Sequence, residues 1–364
     1  MAGIAERGPD DGADPPGADD TDRQGRALRE RVPSGGVHRP DGTAVRVASD
    51  NARVRTWEQA WAEALYGDGG FYRRPEGPAG HFATSAQGGA GEVLAEALLR
   101  LADREGLTTI VDVACGRGEL LASLAALAEG SVHLVGVDVV ARPAGLDPRV
   151  DWLVSPGGGD LPDLGHATRA LVLAHEWLDV VPCPVARADE HGRLRTVLVD
   201  DEGNESLGSP LAQRDADWAA RWWPGPYSPG DRVEIGRTRD DAFTRLVERV
   251  RSGLVVAVDY GHTLAERPRC GSLVGYADGV LCAPVPDATC DLTAHVAMDS
   301  LPADRVLTQR EVLRDLGLDG TRPPVETART DPAGYLAALS RASRASSLTG
   351  PGPGGFLWAL RSVG

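Results

Sequence analysis

Val111-Asp112-Val113-Ala114-Cys115-Gly116-Arg117-Gly118-Glu119 runs an apolar strand into a glycine turn that opens a helix. Gly116 and Gly118 carry no side chain, so a ligand can lie against the backbone where the first amides of the helix lack intrahelical partners. The next strand ends on Asp138, twenty residues beyond Gly118. A carboxylate there can take both hydroxyls of a ribose. Dinucleotide sites share that carboxylate, so other features must separate the two ligands. A nicotinamide site prefers Gly or Ala three residues after its second glycine, where Leu121 stands, and Asp112 would set a negative charge against a pyrophosphate. A sulfonium cation with an amino-acid tail tolerates Asp112 or uses it. The loop therefore favours S-adenosylmethionine over a dinucleotide or an empty Rossmann-like core, with Asp112, Ala114, Gly116, Gly118 and Asp138 as the candidate cofactor residues.

Around this loop, short apolar runs alternate with helical patterns. Residues 109–114, 132–139, 169–175 and 254–260 read as buried strands, with a shorter one at 151–154. Their hydrophobicity is continuous rather than alternating, as a parallel sheet covered on both faces requires. Residues 119–128 supply the first crossover helix, with Leu120, Leu121, Leu124 and Leu127 expected to face the sheet. The pattern predicts an α/β fold, a doubly wound αβα sandwich.

Upstream, Thr56 and Gln59 form a T-x-x-Q capping box, and Trp57, Ala60, Trp61, Ala64 and Leu65 fall at helical spacing. A Gly- and Pro-punctuated loop carries Phe71 and Tyr72, and a second helix presents Val93, Leu94, Ala97, Leu98 and Leu101 on one face. Between the fourth and fifth strands lies a long insert. Residues 185–188 and 194–199, joined around His191-Gly192, read as a hairpin; Trp218, Trp222 and Trp223 then pack the insert on the core, followed by a helix bearing Phe243, Leu246, Val247 and Val250. Thr308 and Glu311 cap a short helix, Asp331-Pro332 opens another through Arg344, and residues 356–361 close the sheet. The domain reading is a disordered segment at 1–55, an N-terminal helical lobe at 56–108, a cofactor-binding Rossmann-like core at 109–184, an insert at 185–252, and the rest of the core at 253–364.

Composition narrows the functional class. A net charge of −15 over 364 residues argues against nucleic acid, because phosphate binding needs clustered positive side chains. All 38 basic residues are arginine, as codon bias in a GC-rich bacterial genome produces. The five cysteines (Cys115, Cys183, Cys270, Cys282, Cys290) form no C-x-x-C pair and fit neither a disulfide framework nor a zinc site. No metal is expected. Without an eighteen-residue apolar run or a signal-peptide layout, the chain reads as cytoplasmic, with no membrane partner. Residues 1–55 are rich in Asp, Gly, Pro and Arg, too polar to offset their ordering entropy.

After the fourth strand comes Leu171-Val172-Leu173-Ala174-His175-Glu176-Trp177-Leu178-Asp179. Ligands of open α/β sheets sit at the carboxyl ends of strands, which puts Glu176 and Asp179 at the same crevice as the glycine loop. A carboxylate pair is a natural clamp for a guanidinium, because it accepts the planar fork bidentately. The plainer alternative is that both acids cap the next turn and meet solvent. His175 is a candidate general base or a hydrogen-bonded strand terminus.

Taken together, these motifs resemble the MidA-like S-adenosylmethionine-dependent methyltransferases, a family that includes the mitochondrial complex I assembly factor that methylates arginine. That family's ALY, GYY and GDFITS resemble Ala64-Leu65-Tyr66, Gly70-Phe71-Tyr72 and Gly80-His81-Phe82-Ala83-Thr84-Ser85. Its ELGxGRGTL resembles the run from Asp112 to Leu120, and its AHEFFDALPV the run from Ala174 to Pro184. ADYGH, GTLRGF and DLTAHVDF resemble Val258-Asp259-Tyr260-Gly261-His262, Gly271-Ser272-Leu273-Val274-Gly275-Tyr276 and Asp291-Leu292-Thr293-Ala294-His295-Val296. The resemblance implies a class I methyltransferase fold and S-adenosyl-L-methionine as cofactor. It also implies a protein arginine as acceptor, facing Glu176 and Asp179, with Thr84 and Ser85 closing over the cofactor. Ala114 departs from the family's first glycine, and Gln87 with the added Gly88-Gly89 replaces a glutamate. Those departures keep two other readings open, a scaffold that retains the cofactor fold as a relic and a methyltransferase of small molecules. The sequence sets no oligomeric state; a homodimer stays open.

Overall fold

The computed structural model describes residues 53–74 and 88–364. A two-residue strand β1 (Arg55–Thr56) leads into α1 (Trp57–Tyr66), and α2 (Gly88–Glu105) precedes the central sheet. The core then alternates β2 (Thr109–Val113), α3 (Glu119–Ala128), β3 (His133–Asp138), β4 (Val150–Val154) and β5 (Ala170–His175). The insert contributes β6 (Val185–Ala188), β7 (Leu194–Val199), β8 (Glu205–Pro210), α4 (Gln213–Trp222), β9 (Arg232–Glu234) and α5 (Arg237–Glu248). After it come β10 (Gly253–Asp259), β11 (Gly261–His262), β12 (Val274–Ala277), β13 (Val280–Cys282), β14 (Asp291–Thr293) and β15 (Val296–Ala297). The chain ends on β16 (Arg305–Thr308), α6 (Gln309–Asp315), α7 (Thr327–Thr330), α8 (Pro332–Thr349) and β17 (Leu357–Val363).

The central sheet has seven strands in the order β16-β17-β10-β5-β2-β3-β4. Strands β10, β5, β2, β3 and β4 are parallel, and β17 runs antiparallel to β10. Strand order reverses between β2 and β5, so the loops after these strands flank the switch point where open α/β sheets bind ligands.

Continuous hydrophobicity splits by the two-residue period of a strand. In β5, Leu171 and Leu173 join one core with α2, α3, α6 and α8, while Ala170, Val172 and Ala174 join the other with α5. β10 divides the same way, Leu254, Val256 and Val258 against Val255 and Ala257. Each fully buried leucine here contributes on the order of 1.5–3 kcal/mol.

The Thr56/Gln59 and Thr308/Glu311 capping boxes both form, and Asp331 caps α8 through the amide of Gly334. Leu127 departs from expectation: it is 49% exposed, while Leu120, Leu121 and Leu124 are buried. Position 127 lies on the solvent side of α3, three residues round from Leu124, and the tilted apolar stripe is complete without it. Most of the segment expected to be disordered, residues 1–55, lies outside the described residues. Arg55 does not belong with it, because it pairs with Val199 in a strand and is 8% exposed.

A second sheet, β1-β7-β6-β9 with β8 alongside β7, joins the N-terminal residues to the insert. The expected hairpin is its centre, in the register Ala186↔Thr196. Trp57, Trp61 and Leu65 of α1 pack on Val185, Val197 and Val199 of this sheet and on Leu292 of β14. Trp218 and Trp223 pack on Ala186, Val233 and Ile235 of the insert and on Ala297. These layers roof the carboxyl ends of β5 and β10. Among the described residues, no helix is long and apolar enough to cross a membrane.

Candidate functional site

β2 and β3 are neighbours in register Val113↔Val137, which brings the glycine loop beside the end of β3. Ala114 and Cys115 both donate amides to Val137 O, at 2.8 and 3.3 Å. Gly116 donates its amide to Asp138 Oδ2 at 2.8 Å, and Val140 donates to Asp138 Oδ1 at 3.3 Å. Each Asp138 oxygen is thereby fixed and keeps lone-pair capacity for a ligand hydroxyl. Gly118 caps α3 at φ +82°, and Gly116 sits at φ +60°. Both lie in the left-handed region that glycine enters without steric penalty. Ala114 shares that region at φ +58°, where a side chain costs about 1–2 kcal/mol.

Asp112 is 2% exposed and accepts no hydrogen bond among the described residues. Burial pushes its carboxyl up to about 8, with the charges of Asp138 and Glu119 adding to the rise. Burial also raises Asp138 to about 6, against the pull of the Val140, Gly116 and Val139 amides. A buried acid that lacks a partner is stabilised by a cation arriving beside it. A cavity of about 470 Å³ opens next to the loop, lined by Arg73, Arg74, Arg117, Val139, Val140 and Ala141. The bare turn, the acid held by amides at the end of β3 and the buried acid without a hydrogen-bond partner among the described residues together fit an adenosyl sulfonium with an amino-acid tail, while the cavity beside them carries three arginines as well as Val139, Val140 and Ala141. Thr84, Ser85 and Gln87 lie outside the described residues.

On the other side of the switch point, β2 pairs with β5 in register Val113↔Ala174. The chain bends sharply after β5: Glu176 sits at φ +51° and donates its amide to Val258 O at 2.8 Å. Glu176 Oε2 accepts the Tyr260 hydroxyl at 2.8 Å, and Oε1 lies 3.5 Å from His175 Nδ1. His175 is 6% exposed, and burial lowers its pKa, leaving a neutral imidazole. Asp179 is 4% exposed, with Oδ2 accepting the Thr293 hydroxyl at 2.7 Å.

Sequence reasoning assigned no role to the groups that complete this side. Asp259, at the end of β10, accepts the amides of Leu178 at 2.9 Å and Asp179 at 3.3 Å on one oxygen. Asp291 of β14 accepts the Tyr72 hydroxyl at 2.8 Å. Burial raises Asp259 and Asp291 well above the usual carboxylate range, and the charges of Asp179 and Glu176 add to both shifts. Arg239 of α5 is the buried cation beside them, 1% exposed. It spends its donors on four carbonyls, those of Val181, Ala294, His295 and Asp179. No ion pair reaches Asp179, Asp259 or Asp291 from an arginine among the described residues. The signal for Asp259, Tyr260 and Asp291 was present in the resemblance motifs; Arg239, set among other charges in R-T-R-D-D, carried none. No group of side chains suited to a metal ion occurs among the described residues.

Residues 93–314 match the model of an S-adenosyl-L-methionine-dependent methyltransferase family, Methyltransf_28. Among solved structures, a COG1565 superfamily member from Burkholderia thailandensis bound to S-adenosyl-homocysteine is similar at TM-score 0.66 and 20% identity, over 85% of this chain and 88% of that one. A native crystal structure of a COG1565 superfamily protein from the same organism aligns at TM-score 0.64 and 22% identity, over 85% and 87%. At such identities the likeness is one of fold. No curated protein matches the sequence.

Proposed function

The chain belongs to this family of S-adenosyl-L-methionine-dependent methyltransferases, since the match spans more than half of it, and from that premise we propose that it N-methylates arginine in a protein partner. When bound, S-adenosylmethionine supplies an electrophilic methyl group on a positive sulfonium. The chain supplies the rest. Asp138 would hold the ribose hydroxyls, Asp112 would meet the positive amino-acid end, and the bare turn from Gly116 to Gly118 would let the ligand reach the backbone. Glu176, 10% exposed at its side chain and held by Tyr260, is placed to accept a donor from the methyl acceptor. Positioning of this kind is worth roughly 7–11 kcal/mol in well-aligned systems.

The observation that carries the acceptor class is the charge balance behind Glu176. The buried carboxyls Asp179, Asp259 and Asp291 lie beside Arg239, whose donors go to backbone carbonyls, and carboxyls that burial holds protonated ionise when a further cation arrives beside them. Such a site favours a positively charged group, and a guanidinium matches the planar acceptor geometry of a carboxylate.

The test is mass spectrometry of candidate acceptor proteins incubated with wild type or Glu176→Gln. Methylation on arginine by wild type, and its loss in a variant that still binds S-adenosylhomocysteine, is the expected result. Methylation at the wild-type rate in Glu176→Gln would remove the clamp from the account.

A further inference from the structure

Asp179 Oδ1 and Asp259 Oδ1 are both buried and have no hydrogen-bond partner among the described residues. Their second oxygens are committed: Asp259 Oδ2 holds the Leu178 and Asp179 amides, and Asp179 Oδ2 holds Thr293. Two buried acceptors left over in adjoining carboxyls satisfy each other when one carries a proton. We propose that Asp179 and Asp259 share one proton through these two oxygens, and that this pair positions Glu176. The proposal rests on the reading that Glu176 meets a cationic acceptor.

The physical reason is charge. Two ionised carboxylates close together in a buried site are mutually unfavourable, so one of them keeps its proton. One shared proton leaves a single negative charge there. Burial raises both members, Asp179 to about 6 and Asp259 well above the usual carboxylate range. The groups facing the pair are Glu176 beyond β5, Arg239 on α5, Tyr66 on α1, Tyr72 in the turn after α1, Tyr260 after β10, Tyr276 on β12 and Asp291 on β14. Arg239 is the one cation among them, and it touches Asp179 at the backbone carbonyl. Asp259 also holds the turn, because its other oxygen accepts the amides of Leu178 and Asp179 in the 3-10 segment Leu178–Val180 directly beyond Glu176.

The pair makes a prediction that independent acids do not. Infrared spectroscopy of the full-length protein at neutral pH, on wild type, Asp179→Asn, Asp259→Asn and the double variant, counts protonated buried carboxyls. A shared proton means that each single variant loses the same carboxylic-acid band, because the asparagine amide then donates to the remaining carboxylate. The double variant loses nothing more. Two bands lost additively, or none lost in either single variant, would overturn the proposal. Binding of S-adenosylhomocysteine checks that each variant is folded. Asp259→Ala, which cannot donate, serves as the second readout: kcat/KM should fall in it and recover in Asp259→Asn, with the acid limb of the pH profile displaced. Equal kcat/KM and the same pH profile in Asp259→Ala and Asp259→Asn would reduce Asp259 to a structural role. The infrared count needs no acceptor, so it stands or falls separately from the arginine reading.

Discussion

The two halves of this site are built in opposite ways. The candidate cofactor half is local: Asp112 to Gly118 is one continuous stretch from the end of β2 through the turn before α3, and Asp138 ends the neighbouring strand. Its working contacts are largely backbone amides held by a carboxylate, such as Gly116 on Asp138. The proposed acceptor half gathers side chains from α1, the loop after β5, α5, the end of β10 and β14. Its contacts join residues far apart in sequence, such as Thr293 to Asp179 and Tyr72 to Asp291. Where binding is done by backbone, the sequence must spend glycines at fixed spacing. Where it is done by gathered side chains, no spacing rule is needed, and the half depends on tertiary packing to exist at all.

That contrast predicts where damage will be greatest. Arg239→Met removes the donors to four carbonyls and leaves buried acids without their cation, and breaking such a buried network costs about 3–5 kcal/mol. Chemical denaturation measures it. Molecules that remain folded should still bind S-adenosylhomocysteine with wild-type affinity, because the glycine loop does not use Arg239. A loss under about 1 kcal/mol, within the range of ordinary surface changes, would mean that the acceptor half is not held by this residue.

The cofactor half should answer to pH instead. Asp112 has an ordinary value of 3.8 and is pushed up to about 8 in the folded chain. The folded protein therefore keeps a proton that the unfolded chain has released, so this residue lowers stability as pH rises between those values. A cation beside Asp112 reverses the shift. Binding of S-adenosylmethionine below about pH 8 should release a proton, and affinity should rise by up to about tenfold per pH unit towards that limit. Calorimetry in buffers of different ionisation enthalpy reads the proton directly. Asp112→Asn should abolish the release; if release persists unchanged, another group titrates.

The smallest effect concerns the strained residue in the loop. Ala114→Gly relieves the positive φ but adds freedom to the unfolded chain, so a net gain of about 0.5–1 kcal/mol is expected. It would be seen as a higher Tm with cofactor affinity within a factor of a few. A lower Tm would show that the Ala114 methyl group packs usefully.

Legibility followed the same division. The parallel sheet was readable because β5 and β10 are apolar at every position but their ends, and both capping boxes formed where Thr56 and Thr308 announced them. The candidate cofactor residues Asp112, Gly116, Gly118 and Asp138 lie together where β2 and β3 end. Leu127 was misread because a helical stripe drifts, and its last member turns to solvent. The three-stranded sheet β13-β12-β14 gave no signal, since strands of three or four residues between glycines and prolines carry too little pattern. Arg239 looked like one more surface charge, and only the roof built from α1 and β14 buries it.

The most direct test of the account is calorimetric titration of S-adenosylhomocysteine into wild type, Asp138→Ala and Glu176→Gln. Loss of the ribose acceptor should cost about 1.5–3 kcal/mol, roughly ten- to 150-fold in affinity, while Glu176→Gln binds as wild type does. Unchanged affinity in Asp138→Ala would contradict the account, because the bare turn and the acid at the end of β3 would then not be the cofactor site.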